Sequence, residues 1–393
     1  AANNAAAADP NWKYEKLGVG DIVYRDWIGH THQEGVFGQL EYSILNKKFN
    51  FVLAGSISNT GYWRVDHFNY DKAHEKSGKL NFLGGTIKGG ANYNINRYNN
   101  VFFNLGYISR APFYSGGAFL TSAKSNAINP DAVNEKVISY EIGYGFHNPV
   151  FSFVANAYYT NWKDKTSTRG EITSGEHAGD RYSLNMQGVD ARHMGVEMNF
   201  TYRPVKWFEL EGMLSVGDWV WDSNAKGYFY NQNGEPLKDL RGTVASGILA
   251  DDHAWAVLNQ KGVKVGGSAQ TTGSIGINIR PLDGFRFGLD WVASGRNYSD
   301  YQVSSSNYSA NSTINVADPW RIPWGNQFDF SASYSFKIAG VRATLNGNIN
   351  NLFNHYYVMD AYNNITTAGE WDNVYRVFYS FGRTYSVRLK VNF

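Results

Sequence analysis

Aromatic side chains crowd the polar stretches of this sequence, and their planar faces are the first candidate chemistry. Tyr62, Trp63, Phe113, Tyr114, Trp219, Trp221, Trp255, Trp320, Trp324 and Trp371 all fall in or beside such stretches. Rings of this kind stack on sugars, haem or aromatic chelates. Arg110 and Arg192 stand where periodic segments meet polar ones. Each could hold an anion or pair with a carboxylate such as Glu141 or Glu197, and pairing is the expected role. His30 and His32 share a face of an extended chain, and Asp251-Asp252-His253 forms a short acidic patch. Neither has a further ligand in view, so no metal and no cofactor is expected. Cysteine is absent, which removes thiolate ligands, thiol nucleophiles and disulfides. No GxSxG or HExxH segment occurs, so no catalytic residue is assigned and the chain does not read as an enzyme.

The elements that position these groups are strands. Gly reaches 41 residues, with 27 Tyr, 24 Phe and 12 Trp, a composition suited to pleated, half-buried surfaces. Mean hydropathy is −0.42 and no apolar run is long enough for a membrane helix. The net charge of +2 and the lack of a basic cluster give no footprint for nucleic acid. Strand-like segments are expected near 34–45, 49–60, 80–95, 100–110, 136–147, 150–162, 190–203, 207–218, 268–280, 285–296, 326–338, 341–354 and 381–393. Soluble strands average about 5–6 residues, whereas strands that cross a bilayer need about 9–11. Short turns near Asn46–Lys48, Asn96–Asn99, His147–Pro149, Pro204–Lys206, Pro281–Gly284 and Ala339–Gly340 alternate with long loops near 61–79, 111–135, 163–189, 219–267, 297–325 and 355–380. That alternation is the pattern of short periplasmic turns and long extracellular loops.

One phase of every segment is apolar, as in Val36, Leu40, Tyr42 and Ile44, or Phe285, Phe287, Leu289 and Trp291. Glu41, Lys88, Glu141, Glu197, Glu209, Glu211, Arg286, Asp290, Asp329, Lys337, Arg342, Arg388 and Lys390 fall on the other. An Arg or Lys facing lipid at the midplane costs about 2–4 kcal/mol, so the segregation has a cause if the apolar phase meets lipid. The fold class is therefore all-β: part of a transmembrane antiparallel barrel, about thirteen strands, with Tyr42, Tyr159, Tyr202, Trp207 and Trp291 as candidate interface aromatics. Thirteen strands leave two unpaired edges, which lipid does not tolerate. A larger barrel, 22-stranded with a plugged lumen, would be completed by about nine more strands. The first residues carry neither a basic region nor an apolar signal core, so the chain reads as processed or a fragment.

Four segments carry a family resemblance. Gly35-Val36-Phe37-Gly38-Gln39-Leu40-Glu41-Tyr42 resembles a "GLFGQLEY" strand, and Asn129-Pro130-Asp131 through Asn134-Glu135-Lys136 and Ser139–Tyr144 resembles "NPDLKPEK…YELGY". Gly195-Val196-Glu197 with Tyr202-Arg203-Pro204 resembles "GVE…YRP", and Asn351-Leu352-Phe353-Asn354 with Gly382-Arg383 and a terminal aromatic resembles "NLFN…GR…F". In this order they are similar to the C-terminal barrel of TonB-dependent outer-membrane receptors, particularly those of Bacteroides-type bacteria. The resemblance implies residues 1–33 as an extracellular or connecting segment and 34–393 as barrel, with plug and N-terminal strands outside this chain. It implies a multi-pass barrel of the bacterial outer membrane, contacting lipid and lipopolysaccharide, with Phe393 on the periplasmic side. It implies import of a glycan, peptide, iron chelate or corrinoid, driven by TonB–ExbB–ExbD acting on the plug, and a surface lipoprotein as a further partner. Substrate would meet the long loops, which makes the aromatics above and Arg110 the candidate substrate-binding residues. The alternative is a passive porin-like or surface-binding barrel without energy coupling.

Overall fold

The computed structural model describes residues 18–22, 25–120, 125–173, 181–247, 250–302, 310–338, 340–364, 366 and 371–392. Thirteen strands follow one another in a single antiparallel sheet. They are β1 (Trp27–Ile44), β2 (Phe49–Asp66), β3 (Leu80–Asn94), β4 (Asn99–Arg110), β5 (Glu135–His147), β6 (Phe151–Thr173) and β7 (Arg181–Val205). β8 (Phe208–Trp221), β9 (Thr271–Ile279), β10 (Phe285–Gly295), β11 (Gly325–Ile338), β12 (Val341–Asn350) and β13 (Thr384–Asn392) complete the order. Each expected strand is present.

The turns on one side are as short as expected because their residues supply the geometry. Leu45, Asn46 and Lys47 are all left-handed, with φ of 52°, 54° and 65°. Asn96 and Asn148 each accept backbone N–H groups two and three residues on with their side-chain oxygens, closing Asx turns.

The register makes the two phases continuous across strands. Val36 lies opposite Ile57, Leu40 opposite Leu53 and Tyr42 opposite Phe51. Leu105 is flanked by Gly89 and Tyr140, and Leu345 by Tyr334 and Leu389. These side chains stand exposed, with Val36 at 74%, Leu83 at 72% and Ile142 at 62%. An apolar face that large is not a water-facing surface. The other phase pairs polar groups: Ser56 with Thr86, Ser139 with Thr160 and Ser335 with Thr344 share hydroxyl hydrogen bonds of 2.8–2.9 Å. Asn104 donates to Glu141, and Asn348 to Ser386. This phase is not free of apolar groups, for Phe37 and Met213 stand exposed on it. Glu41, Glu141, Asp290 and Arg342 all lie on it.

The apolar band has two borders. At the short-turn side, rings pack in tilted, edge-to-face and stacked pairs, among them Phe49–Tyr93, Phe146–Phe151, Phe151–Tyr202 and Phe285–Tyr334. Trp207, more than half exposed, extends that girdle. At the long-loop side the same phase turns charged: Glu34 above Val36, Lys136 above Ile138, Arg192 above Met194 and Asp218 above Val216.

Above this border the structure departs from the sequence reading. β1 begins at Trp27 and not near Glu34, and β2 runs to Asp66. The loop expected at 163–189 is largely a continuation of the β6–β7 hairpin, whose ladder reaches Thr173 opposite Arg181 with register shifts along the way. Outside hydrocarbon the strands need no apolar phase, so alternation fades while backbone pairing persists. The long loops also pair among themselves. Ala225–Asn231 pairs with β7 and with Trp255–Asn259, which pairs in parallel with Ser312–Asn315. Tyr182, Leu184, Met186, Trp221, Phe229, Leu237, Leu258 and Ile314 form a buried apolar cluster between them. It is a core above the apolar band, built between the upper part of β7, the end of β8 and the loops.

The β1–β2 hairpin and the loop after β4 interlock near Tyr114. Its hydroxyl donates to the Trp63 carbonyl at 2.8 Å, and burial pushes the phenol up to about 12, partly countered by the Arg64 cation. A raised phenol contributes stability that is complete below its ordinary value of 10.0 and is lost as pH rises through about 12. Thermal unfolding of the full-length protein between neutral and alkaline pH will show this: Tyr114→Phe flattens the alkaline loss relative to the native protein.

Candidate functional site

The inward, polar phase of β6–β8 carries an aromatic wall where the strands leave the apolar band. Tyr158, Gly195 and Gly217 share one row of the register, and His193 lies opposite Trp219 one inward position higher. The Trp219 indole Nε1 donates to the Tyr158 hydroxyl at 2.9 Å, and the His193 and Trp219 rings stand 5.4 Å apart. The two glycines make this arrangement sterically accessible. A β-carbon on Gly195 would lie 2.7 Å from the Tyr158 hydroxyl oxygen, and one on Gly217 would lie 2.5 Å from Trp219 Nε1. Gln270 holds Trp219 from behind: its side-chain oxygen accepts the Trp219 backbone N–H, and its amide donates to the Trp219 carbonyl, both at 3.0 Å. Arg296 donates to the Gly217 carbonyl at 2.8 Å, and Asp218 is ion-paired with Lys264.

Cations border the wall. The Arg110 guanidinium is 5.0 Å from the Trp162 ring centre, and the Lys165 ammonium lies 5.3 Å from Trp162 and 5.9 Å from Trp221. Arg110 is held by Glu135, whose Oε2 accepts from its Nη2 at 2.7 Å and Nε at 3.0 Å. Glu135 Oε1 and Trp162 Nε1 are buried without a hydrogen-bond partner among the described residues. Deeper along the same face, Glu141 pairs in register with Tyr158, and Glu197 lies one inward position below Gly195. Ring faces, indole and imidazole N–H groups, hydroxyl and carboxylates thus line one wall. Such a lining can stack on rings and hydrogen-bond their polar substituents.

The candidates from sequence divide. Trp219 is in the wall, and Arg110 borders it. Trp221 is buried in the loop cluster, its indole N–H without a hydrogen-bond partner among the described residues. Tyr62 donates to the Pro112 carbonyl at 3.2 Å and packs on Tyr114, while Trp63 stands on the apolar phase, stacked on His30 at 4.9 Å. Phe113 lies exposed under Arg110, and Trp255 lies under the Lys226 ammonium. Trp320 and Trp371 contact each other at 5.4 Å, and Trp324 is exposed beside Gly295. Arg110 pairs, as expected, but with Glu135. Arg192 cannot meet the lumen carboxylates because the register puts it on the opposite face. His32 lies 3.6 Å from Glu34, Asp252 pairs with Lys238, and no cluster suited to a metal ion occurs among the described residues. Glu209 binds Arg203 at 2.6 Å within a 490 Å³ recess at the short-turn rim. Tyr158, Trp162, Lys165 and His193 were missed by sequence reasoning. The signal was there: aromatic residues on the phase that otherwise carries charge, beside a glycine.

The motifs have structural roles. Asn129, buried, donates to the Gly117 carbonyl at 2.6 Å and accepts the Asp131 N–H, fixing the loop that leads into Glu135. Asn351 and Asn354, both left-handed, tie β12 to β13: Asn351 donates to the His355 and Phe381 carbonyls, and Asn354 accepts the Arg383 N–H.

A sheet of long antiparallel strands with one lipid-compatible face and one polar face defines an outer-membrane β-barrel. A family model described as TonB dependent receptor-like, beta-barrel, matches residues 2–352, and the chain belongs to that family. No curated protein sequence matches it. Among solved structures it is similar to the ferric yersiniabactin uptake receptor FyuA from Yersinia pestis, with a TM-score of 0.58 and 15% identity over 94% of this chain and 47% of that one. The copper transporter OprC gives 0.58 and 13% over 92% and 48%, and the siderophore receptor PiuA from Acinetobacter baumannii gives 0.57 and 14% over 94% and 44%. The chain spans about half the length of these relatives.

Proposed function

We propose that this chain is the C-terminal barrel portion of a TonB-dependent importer and that the β6–β8 aromatic wall is a contact surface for its nutrient. The observation that carries this reading is the inward Tyr158–Trp219–His193 group above Glu141 and Glu197, on a sheet whose other face is apolar. Among the described residues β1 and β13 each have one unpaired edge, and they run in the same direction, since an even number of antiparallel steps separates them. All-antiparallel closure therefore needs an odd number of further strands, in line with about nine. Those strands and a plug come from the rest of the protein, and this portion begins with β1 at Trp27, ahead of the boundary expected at residue 34. β13 ends with Asn392 opposite Arg342, at the short-turn end, so in this reading the C-terminal end faces the periplasm; Phe393 itself lies outside the described residues. TonB–ExbB–ExbD energises the plug, and a surface lipoprotein covers the mouth. A glycan, peptide, iron chelate or corrinoid suits a wall of stacking faces and polar edges.

The test is growth of a strain carrying only the full-length protein on each nutrient class in turn. Uptake of one class that requires both this gene and TonB supports the reading. Uptake that persists without TonB, or liposome swelling by the purified protein, favours the passive barrel. Once a nutrient is found, Trp219→Ala is expected to raise its half-saturation concentration about 2- to 10-fold, the loss of one stacked ring. An unchanged value removes the wall from the binding site.

A further inference from the structure

The outward phase of β7–β10 changes character abruptly at the long-loop border. Met194 and Val196 on β7, Val216 on β8 and Ile275 on β9 stand exposed in the apolar band. Above them three cations gather around one carboxylate. Lys264 is ion-paired with Asp218, and Arg296 Nη2 lies 3.6 Å from the same Asp218 oxygen. Arg192 faces Val220 across the β7–β8 ladder, and Lys264 flanks Val220 on its other side. Met194 is the residue opposite Asp218, so Arg192 stands one diagonal step from that carboxylate.

Arg192 is the unmatched member. It has no ion pair or hydrogen bond among the described residues, and its Nε is buried. A buried donor without an acceptor is costly, so the position calls for one. One row higher the balance of charge reverses. Lys136, paired with Asp164 at 2.6 Å, and its neighbour Lys163 meet three carboxylates there, those of Asp164, Asp190 and Asp222. The positive surplus is therefore confined to the level just above hydrocarbon. Trp324 marks that level: it is exposed, lies against Gly295 and so stands beside Arg296. Indoles favour the headgroup layer of a membrane.

We propose that Arg192, Lys264 and Arg296 form a site for a phosphate group on the sugar headgroup of lipopolysaccharide. A phosphate monoester carries a charge of about −1.5 to −2 near neutral pH and three strong acceptor oxygens. That charge complements three cations set around a single carboxylate. Guanidinium groups bind phosphate oxygens through paired N–H groups, which gives Arg192 Nε an acceptor. The acyl chains of the same lipid then lie along Met194, Val196 and Val216. A nutrient is not the occupant, because the site is on the opposite face from the Tyr158–Trp219–His193 wall. The proposal rests on the reading that the long loops are extracellular, since the outer leaflet holds this lipid.

Native mass spectrometry of the delipidated full-length protein, titrated with purified lipopolysaccharide, tests this. Arg192→Gln is the telling variant, because no ion pair breaks with it. It is expected to weaken binding about tenfold, the loss of one charge-assisted contact. Lys136→Gln, one row higher on the same face, is expected to leave binding unchanged. Lipopolysaccharide stripped of its phosphates should bind no better to the native protein than to Arg192→Gln. The proposal is overturned if Arg192→Gln binds as tightly as native protein, if Lys136→Gln weakens binding equally, or if the stripped lipid binds as well as the intact one. Competition by inorganic phosphate at the same concentration as the lipid overturns it too, since the site then takes a free anion. Labelling of Lys261→Cys by an impermeant maleimide on intact cells tests the underlying orientation separately, in a background with no other cysteine. Labelled cells with unchanged Arg192→Gln binding sink this proposal alone, whereas unlabelled cells sink the orientation and the proposal with it.

Discussion

Leu105→Arg will sharply reduce folded full-length protein in the outer membrane, whereas Asn104→Arg, one residue away, will leave it near native levels. Leu105 stands on the apolar phase between Gly89 and Tyr140, within the rows bounded by the aromatic girdle and the charged border. An arginine there meets lipid near its midplane, at about 2–4 kcal/mol. Domains are stable by only about 5–15 kcal/mol, so that cost shifts a large share of molecules to unfolded or degraded forms. Asn104 points the other way and donates to Glu141 at 3.0 Å. An arginine at that position meets water and a carboxylate. Heat-modifiable mobility and urea unfolding in vesicles measure both variants. Equal effects at the two positions would mean that the two faces do not meet different solvents.

That pair of positions shows what the sequence makes legible. Inside hydrocarbon the rule is binary, because every second side chain meets lipid and an ionised group there is expensive. Leu40, Leu105 and Leu389 therefore announce their face, and Glu41, Asn104 and Arg388 theirs. Above the membrane the rule lapses. Nothing in the alternation at 163–189 marks the continuing hairpin, since its ladder is backbone pairing that many side chains allow. Loop packing is equally hidden: Trp221 and Trp219 are two residues apart on the same phase, yet one is buried among loop residues such as Phe229 and Leu258 and the other bonds Tyr158. Which ring belongs to a core and which to the wall depends on contacts between loops far apart in sequence. Tyr158 and His193 were overlooked because loops were searched for aromatics, while the wall is built on strands. The glycines opposite Tyr158 make it possible, and a glycine in a strand indicates close approach without naming what approaches.

Among the motifs, the turn at Asn351 offers the largest stability effect outside the membrane faces. Asn351 is left-handed at φ 53° and almost fully buried. Its side-chain amide donates to the His355 carbonyl at 2.8 Å and the Phe381 carbonyl at 3.0 Å, and its oxygen accepts the His355 N–H at 2.8 Å. Its backbone N–H donates to Asp329 at 2.7 Å, so the residue joins β11, β12 and the segment entering β13. Asn351→Leu removes three side-chain bonds and strands buried backbone groups, each costing about 1–3 kcal/mol. It also places a branched side chain in a backbone region that disfavours it by about 1–2 kcal/mol. A loss of about 3–5 kcal/mol is expected, measured by urea unfolding of the full-length protein. Asn351→Gly keeps the backbone conformation but not the bonds and should recover only the smaller, conformational part. Asn351→Asp keeps the acceptor and loses both donors, so it should fall between native protein and leucine. If glycine restores native stability, the left-handed turn alone accounts for this asparagine, and the bonds to His355 and Phe381 do not bind β12 to β13.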